Sequence, residues 1–160
     1  MSKIKSSGIS LVFILLLVIT VGCGNTEEII AAPAPADVTA AVMSEVEFMS
    51  PVPKTIETIG VYYTILDTSS VSDMSVYVCG SGAYPDEIAV IEFIDSEAAD
   101  KGFEAVTDRL DTLIKTYTDY TPEEMYKLDS AVLEKRGNYV IFIVADDNEK
   151  ALEITDRMFS

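Results

Sequence analysis

Two stretches of the chain share the order strand, strand, helix, and this repeated order sharply narrows the range of folds. In the first stretch, the apolar segments 74–79 and 88–94 lie on either side of a loop that holds Gly80, Gly82 and Pro85. Turn residues of this kind between two β-prone segments are typical of paired antiparallel strands. The first stretch therefore predicts a β-hairpin.

A long helix is predicted after this hairpin. Asp95 is a favourable N-cap residue, and apolar side chains then recur every three or four residues, which places them on one face of a helix. These positions are Ala99, Phe103, Val106, Leu110, Leu113, Ile114 and Tyr117. Thr121, followed by Pro122 and Glu124, has the composition of a capping box that begins a further short helix.

The second stretch repeats the order around a tight turn at Arg136–Gly137. The segment Tyr139–Ala145 is apolar on both faces, which predicts a central strand covered on both sides. Segment 131–135 is its predicted hairpin partner. The last helix is predicted to begin after a cap at Asp146.

The two predicted long helices also share a phrase, VTDRL at 106–110 and ITDRM at 154–158. In both, the outer residues fall on the apolar face and Thr-Asp-Arg is predicted to face solvent. The sequence therefore predicts an internal pseudo-repeat and an α+β fold, a four-stranded, mainly antiparallel sheet with both long helices packed on one face. A short N-terminal helix capped by Asp37 is predicted to cover part of the other face. Residues Thr55–Leu66 suit a helix or a strand, and the helix is favoured.

Residues 1–22 have the layout of a cleaved export signal. Two lysines precede an apolar run from Ile9 to Val21, and the small residue Gly22 leads to Cys23, as in signal peptides. The run is shorter than the roughly 20 apolar residues that a membrane-spanning helix needs. A signal peptide that is removed before Cys23 is therefore predicted.

Val21, Gly22 and Cys23 resemble the lipobox of bacterial lipoproteins, although Thr20 stands where leucine is usual. In those proteins a diacylglyceryl group is attached to the cysteine thiol, and cleavage leaves that cysteine at the mature N-terminus. Acyl chains such as palmitate contribute about 0.8 kcal/mol per buried methylene, so two chains hold a soluble domain at a membrane. The resemblance implies lipidation of Cys23 and a position on the extracytoplasmic side of the cell membrane.

The rest of the chain divides into a tether and one domain. Residues 23–36 hold two prolines among small side chains, which is typical of an extended linker. Residues 37–160 are long enough for a single domain. The alternative for Cys23 is an ordinary secretory signal with an incidental cysteine, which could then form a disulfide with Cys79.

The chain is strongly acidic, with a formal net charge of −16, and no basic cluster follows the signal. Binding to nucleic acid depends on neutralising phosphates with Lys and Arg, so a nucleic-acid partner is not expected. Adsorption to anionic lipid head groups is disfavoured for the same reason. The expected partners are the membrane, through the lipid anchor, and another envelope protein or a cationic ligand.

Catalysis is not expected, because the chain contains no histidine and so lacks the usual general base and a conventional triad. Cys79 could serve as a reactive thiol, but Asp86 and Glu87 follow it in the loop rather than a cation that would lower its pKa. A small apolar side chain in a strand is the favoured interpretation of Cys79. The two acids are interpreted as solvated turn residues.

Oxygen ligands for calcium are present at Asp146, Asp147, Asn148 and Glu149. They lack the regular spacing, central glycine and distal Glu of an EF-hand loop, so helix capping and interaction with the helix dipole are preferred. No cofactor is expected beyond the covalent diacylglycerol on Cys23, and calcium-dependent structure is the alternative.

Tyrosines are the clearest candidates for a recognition surface, because each has a large apolar face and a polar tip. With two neighbouring acids they define a candidate binding surface that consists of Tyr84, Asp86, Glu87, Tyr117, Tyr120 and Tyr126. Half-buried packing at helix ends is the alternative.

The segments GSGAYPDEIAVIEF at 80–93 and YTDYTPEEMYKLDSAVLEKRGNYVIFIVADDNEKA at 117–151 resemble a family of Gram-positive lipoproteins, the domain-of-unknown-function 4358 family. The similarity spans roughly Asp37 to Phe159. The resemblance implies lipid anchoring and the fold class. It implies no functional residues, because the family has no assigned activity.

These features together predict a lipid-anchored, extracytoplasmic acidic domain with a non-catalytic binding or accessory role. The alternative is an extracytoplasmic enzyme that uses Cys79 or surface carboxylates. An enzyme needs a concave site that gathers polar side chains from several elements, whereas a binding module could show only an exposed, tyrosine-rich face.

Overall fold

Five antiparallel strands form one sheet, in the order β1-β2-β3-β5-β4, with helices on both faces. A computed structural model describes residues 32–160, so the predicted signal peptide, the lipidation site Cys23 and most of the tether lie outside the described residues. The strands are β1 (Pro51–Pro53), β2 (Val71–Cys79), β3 (Glu87–Phe93), β4 (Val132–Arg136) and β5 (Tyr139–Val144). The helices are α1 (Pro35–Glu45), α2 (Ile56–Ile59), α3 (Ser96–Tyr120), α4 (Met125–Asp129) and α5 (Asn148–Met158). Of the helices in this part of the chain, none is long and apolar enough to cross a bilayer.

The predicted α+β class and the antiparallel sheet are confirmed, but the prediction of four strands is wrong. The additional strand is β1, which pairs with β2 at one edge of the sheet. Pro51 and Pro53 indicate a helix end in the sequence, because proline has no backbone N–H to donate. An edge strand tolerates proline, since one side of it needs no ladder hydrogen bonds.

The two long helices lie on opposite faces of the sheet, so the prediction that they share one face is wrong. Helix α3 packs with α2 and α4 over one set of apolar side chains, which includes Ala89 and Phe142. Helix α5 packs with α1 over the alternate set, which includes Val90 and Ile141. Strands β3 and β5 are apolar on both faces, so each face needs a helical cover.

The position of α5 also breaks the predicted pseudo-repeat. Strand β3 lies beside β5 in antiparallel orientation. Rotation of one strand–strand–helix unit by 180° about an axis perpendicular to the sheet would produce this arrangement. That rotation would keep both helices on one face. The predicted outward orientation of Thr-Asp-Arg holds only in part. Asp108, Asp156 and Arg157 are exposed, but Thr155 is fully buried and Arg109 forms an ion pair with the buried Glu87.

Two predicted boundaries near the N-terminus differ from the structure. Helix α1 begins at Pro35, with Ala34 as its N-cap residue, rather than after a cap at Asp37. Proline suits a first helical position, because the N–H that it lacks would have no partner there. Within Thr55–Leu66, only Ile56–Ile59 is α-helical and no strand forms.

The helix caps follow the sequence in part. The side chain of Asp95 accepts a hydrogen bond from the backbone at the start of α3, as predicted. Thr121 makes no cap hydrogen bond with its side chain. Helix α5 is capped by Asp147 rather than by Asp146. The carboxylate of Asp146 contacts Tyr126 and Lys127 instead.

Helix α3 lies close against the sheet at Gly102. A Cβ atom at this position would lie 2.0 Å from Cζ of Phe93. The ring of Phe93 therefore occupies the space that a larger residue in α3 would need.

Candidate functional site

The end of the loop between β2 and β3 carries two buried carboxylates. Asp86 and Glu87 are 2% and 1% exposed, so their interpretation as solvated turn acids is wrong. Each meets a cation from a helix, Lys127 of α4 for Asp86 and Arg109 of α3 for Glu87. An uncompensated buried charge costs several kcal/mol, so the two helices supply countercharges that the loop requires.

Glu87 and Arg109 form a bidentate ion pair. Nε and Nη2 of Arg109 donate to Oε2 of Glu87 at 3.1 and 2.6 Å, and the hydroxyl of Tyr63 donates to Oε1 at 2.5 Å. Burial opposes the charged form of Arg109, but the charge and hydrogen bonds of Glu87 raise its pKa. Burial and the nearby Glu87 carboxylate raise the pKa of Tyr63 as well. Arg109 is therefore cationic and held in one orientation.

Lys127 lies among three carboxylates. Its Nζ atom is 2.9 Å from Oδ2 of Asp86, Oε2 of Glu124 and Oδ1 of Asp146. The Glu124 contact lies at ion-pair distance but lacks hydrogen-bond alignment. Burial opposes the charge on Lys127, but the close contacts with these three carboxylates raise its pKa. Since Oδ1 of Asp86 also accepts the N–H of Met49 at 3.0 Å, this cluster joins the end of the loop to the segment before β1.

A concave pocket of about 280 Å³ lies beside these ion pairs. We call it the loop pocket, and it is lined by 78–82, 84–87, Tyr62, Arg109, Leu113 and Tyr117. The hydroxyl of Tyr117 lies 2.9 and 2.6 Å from the carbonyl oxygens of Gly82 and Tyr84, which fixes the loop to α3. Burial, with a smaller effect of the Cys79 charge, raises the pKa of Tyr117 to about 12.

Cys79 is the last residue of β2 and is 8% exposed, so it is a buried strand residue, as interpreted from the sequence. It also lines the loop pocket, where its thiol contacts a polar group. Its Sγ atom is 3.3 Å from the hydroxyl of Ser81. Burial would raise the pKa of the thiol, but hydrogen bonds from the Ser81 hydroxyl and from the backbone N–H groups of Ser81, Tyr84 and Gly82 lower it. A loop that turns several amides toward one point stabilises negative charge there.

The structure separates the members of the candidate binding surface. Asp86, Glu87 and Tyr117 are buried and Tyr84 is half-buried, so these four cannot form an exposed face. Tyr120 and Tyr126 are 67% and 51% exposed. A recognition role for these two tyrosines stays a prediction.

The side chains of Asp146, Asp147 and Asn148, which were considered as calcium ligands with Glu149, contact separate partners. Asp146 accepts a hydrogen bond from Tyr126 and pairs with Lys127, while Asp147 caps α5. Asn148 is buried and accepts the N–H of Ala145. Within residues 32–160 no group of three or more acidic or thiol side chains is arranged to hold a metal ion.

Arg109, Lys127 and Tyr63 were missed by the sequence interpretation. Arg109 follows Val106 by three residues and precedes Leu113 by four, so its spacing on the apolar stripe was a usable signal. Lys127 offers no comparable signal, because α4 has only five residues. The partners of Asp86 and Glu87 come from 41 and 22 residues away.

A second groove, of about 470 Å³, lies between the segment before β2 and the start of α3. Acidic side chains line it, among them Asp67, Glu97 and Glu104, and Lys101 is its one basic lining residue. Lys101 is paired with Glu97. The loop pocket is therefore the better candidate, because it brings together a cation, backbone donors and a thiol.

Fold and site define a single α+β domain with a polar pocket at the loop between its first long strands. The chain belongs to the family described as Domain of unknown function (DUF4358), whose model matches residues 50–145. That span contains every residue that lines the loop pocket. Among curated proteins and among solved structures, no match to the chain is significant.

Proposed function

We propose that this protein is a lipid-anchored, extracytoplasmic binding domain whose ligand site is the loop pocket. The lipid anchor is supported by the sequence around Cys23, which has the signal layout and the small residues of a lipobox. The binding role is carried by one observation, a concave pocket with polar groups from β2, the loop and α3. Sites of this kind, with a few convergent polar groups, are the usual places where small molecules bind.

A binding role suits the loop pocket better than acid–base catalysis. Its two carboxylates, Asp86 and Glu87, are already engaged by Lys127 and Arg109 in ion pairs and hydrogen bonds. A general base needs free access to the proton that it removes. The carboxylates therefore support the pocket rather than act on a ligand.

The anchor is tested by metabolic labelling of the producing cells with an alkyne analogue of palmitate. Cys23→Ser is expected to abolish the label, because the thioether cannot form. Cys79→Ser is the matched control, and it is expected to retain the label. Labelling of the C23S protein would contradict the proposed anchor.

The binding role is tested by an NMR screen of small organic acids, amines and neutral compounds against the purified protein. Compounds that bind are expected to shift the backbone amide resonances of residues 79–87 in a saturable way. Saturable shifts confined to other regions would contradict the assignment of the site.

The lowered pKa of Cys79 favours a second candidate function, thiol chemistry in the same pocket. The thiolate is the nucleophilic form of cysteine, so stabilisation of the negative charge increases reactivity near neutral pH. An extracytoplasmic enzyme that uses Cys79 would lose all activity on Cys79→Ser. A binding domain would keep its ligand affinity after the same change, which separates the two functions.

A further inference from the structure

We infer that the loop pocket binds the carboxylate group of a small organic acid and that Arg109 receives it. Given the proposed binding role of the pocket, on which this inference rests, the structure specifies the chemical class of the ligand. The inference is carried by the unused edge of the Arg109 guanidinium.

A guanidinium presents five N–H donors in one plane. Glu87 occupies the side formed by Nε and Nη2 of Arg109. Nη1 of Arg109 makes no hydrogen bond within residues 32–160. In this part of the chain, the buried side-chain atoms that lack a hydrogen-bond partner are Thr121 Oγ1 and Glu124 Oε2. Because Nη1 lacks a partner and is not one of these atoms, it is not buried. Nη1 and the second N–H of Nη2 form a parallel pair, which matches the two oxygens of a carboxylate.

The orientation of Arg109 is set before a ligand arrives. The side chain of Glu87 is fully buried and that of Arg109 is 13% exposed, while Tyr63 holds the other oxygen of Glu87. A donor that is already ordered loses little conformational entropy on binding. Glu87 is therefore a positioning residue for Arg109.

The surroundings of Arg109 favour an anion although the protein is acidic. The hydroxyl of Ser81 and backbone amides of the loop already lower the pKa of the Cys79 thiol. Nζ of Lys54 lies 4.8 Å from the ring centre of Tyr62, and the guanidinium of Arg109 lies 5.4 Å from it. In the described part of the chain, Lys54 has no carboxylate within 4.0 Å of Nζ. Arg109 and Lys54 therefore both lie beside the ring of Tyr62, which lines the loop pocket together with the loop donors.

The walls of the loop pocket suit the body of an organic acid. Tyr62, Tyr84 and Leu113 offer apolar surface, and the volume of about 280 Å³ admits a small molecule. An inorganic anion would use the cations and the polar donors but gain nothing from these walls. The ligand class is therefore a carboxylate with a compact apolar part.

The probe is benzoate, with benzamide as its uncharged counterpart and inorganic phosphate as an anion without an apolar body. The complete processed protein in detergent is titrated with each compound. Backbone resonances of Ser81, Gly82 and Tyr84 and the Nε–H resonance of Arg109 are followed by NMR. Benzoate is expected to shift them saturably, with an affinity at least tenfold higher than that of benzamide or phosphate.

Three variants test the residues. Arg109→Lys keeps a cation opposite Glu87 but removes the paired donors, so the affinity for benzoate is expected to fall at least tenfold. Lys54→Gln is expected to lower it severalfold. Lys115→Gln is the matched control, because Lys115 is an exposed lysine of α3 that also has no carboxylate within 4.0 Å in residues 32–160, and it is expected to leave the affinity unchanged.

Four outcomes would overturn the carboxylate inference. They are equal binding of benzamide, equal binding of phosphate, unchanged benzoate affinity in the folded R109K protein, and equal effects of K54Q and K115Q. Each leaves the pocket as a binding site, so the proposed function survives it. If none of the three compounds shifts any of these resonances and the wider screen also finds no ligand, both the inference and the proposed binding role are wrong.

Discussion

Nζ of Lys127 lies 2.9 Å from Oδ2 of Asp86, and the two side chains are 2% and 1% exposed. This contact joins a helix of five residues to the residue that precedes β3. Because the loop that lines the pocket ends there, the ion pair holds the pocket in shape.

Lys127→Met is expected to destabilise the protein strongly. The change leaves Asp86 buried without its countercharge, and loss of one partner of a buried pair costs about 3–5 kcal/mol. The free energy of unfolding from urea denaturation measures the effect. Lys150→Met is the matched control, because Lys150 pairs with Glu45 at the surface, where solvent screens an ion pair and its contribution to stability is small. Equal losses in the two variants would contradict a structural role for the buried pair.

Gly102→Ala is expected to lower the free energy of unfolding by about 1–3 kcal/mol, the usual cost of overpacking a core. The new Cβ would lie 2.0 Å from Cζ of Phe93, so the ring or the helix must move. Gly60→Ala is the control, since a Cβ at Gly60 meets nothing within 4 Å. Urea denaturation compares the two, and an unaffected G102A protein would show that α3 shifts without cost.

Cys79 is expected to react with iodoacetamide at lower pH than an ordinary cysteine, whose pKa is about 8.5. Hydrogen bonds from Ser81 and the loop amides outweigh burial and lower the pKa of the thiol. The rate of modification is measured from pH 6 to 10, roughly the range over which such thiols ionise, with mass spectrometry that resolves the Cys79 peptide. Ser81→Ala is expected to move the midpoint upward, and an unchanged midpoint would mean that the amides alone stabilise the thiolate.

The stability of the protein is expected to fall between about pH 10 and about pH 12. The pKa of Tyr117 is about 12 in the folded protein and about 10 in an unfolded chain. The folded state therefore holds this proton more tightly, so the stabilisation is fully present below the unfolded pKa and is lost as the pH rises through the folded one. Urea denaturation across this range measures the fall.

Tyr117→Phe is the comparison for this pH effect, because phenylalanine cannot ionise. Its free energy of unfolding is expected to be lower at neutral pH, since the contacts with the Gly82 and Tyr84 carbonyls are lost. Its decline above about pH 10 is expected to be shallower than that of the unchanged protein. Parallel declines would assign the pH dependence to other groups, such as Tyr63.

The elements with regular hydrophobic patterns were predictable from sequence. Apolar runs identified β2, β3 and β5, and the cap at Asp95 with a spacing of three and four residues identified α3. These signals are local, since they depend on which side of one element is apolar. Strand β1 was not predictable in this way, because two of its three residues are prolines.

The site was predictable only in part, because its oppositely charged side chains are far apart in the sequence. Asp86 and Glu87 were singled out from sequence, but a carboxylate in a turn has the same local pattern whether it is solvated or paired. Their burial depends on the approach of Lys127 and Arg109 from other elements. The face that α5 covers was not predictable for a related reason. A helix with one apolar stripe fits either face of a sheet whose two faces are both apolar.

The two edges of the sheet have one further consequence. Strand β1 presents Pro51 and Pro53, and strand β4 at the opposite edge carries Glu134, Lys135 and Arg136. Proline and charge at sheet edges prevent another chain from adding a strand there. Copies of this domain crowded at high local concentration would therefore resist edge-to-edge pairing through β1 and β4.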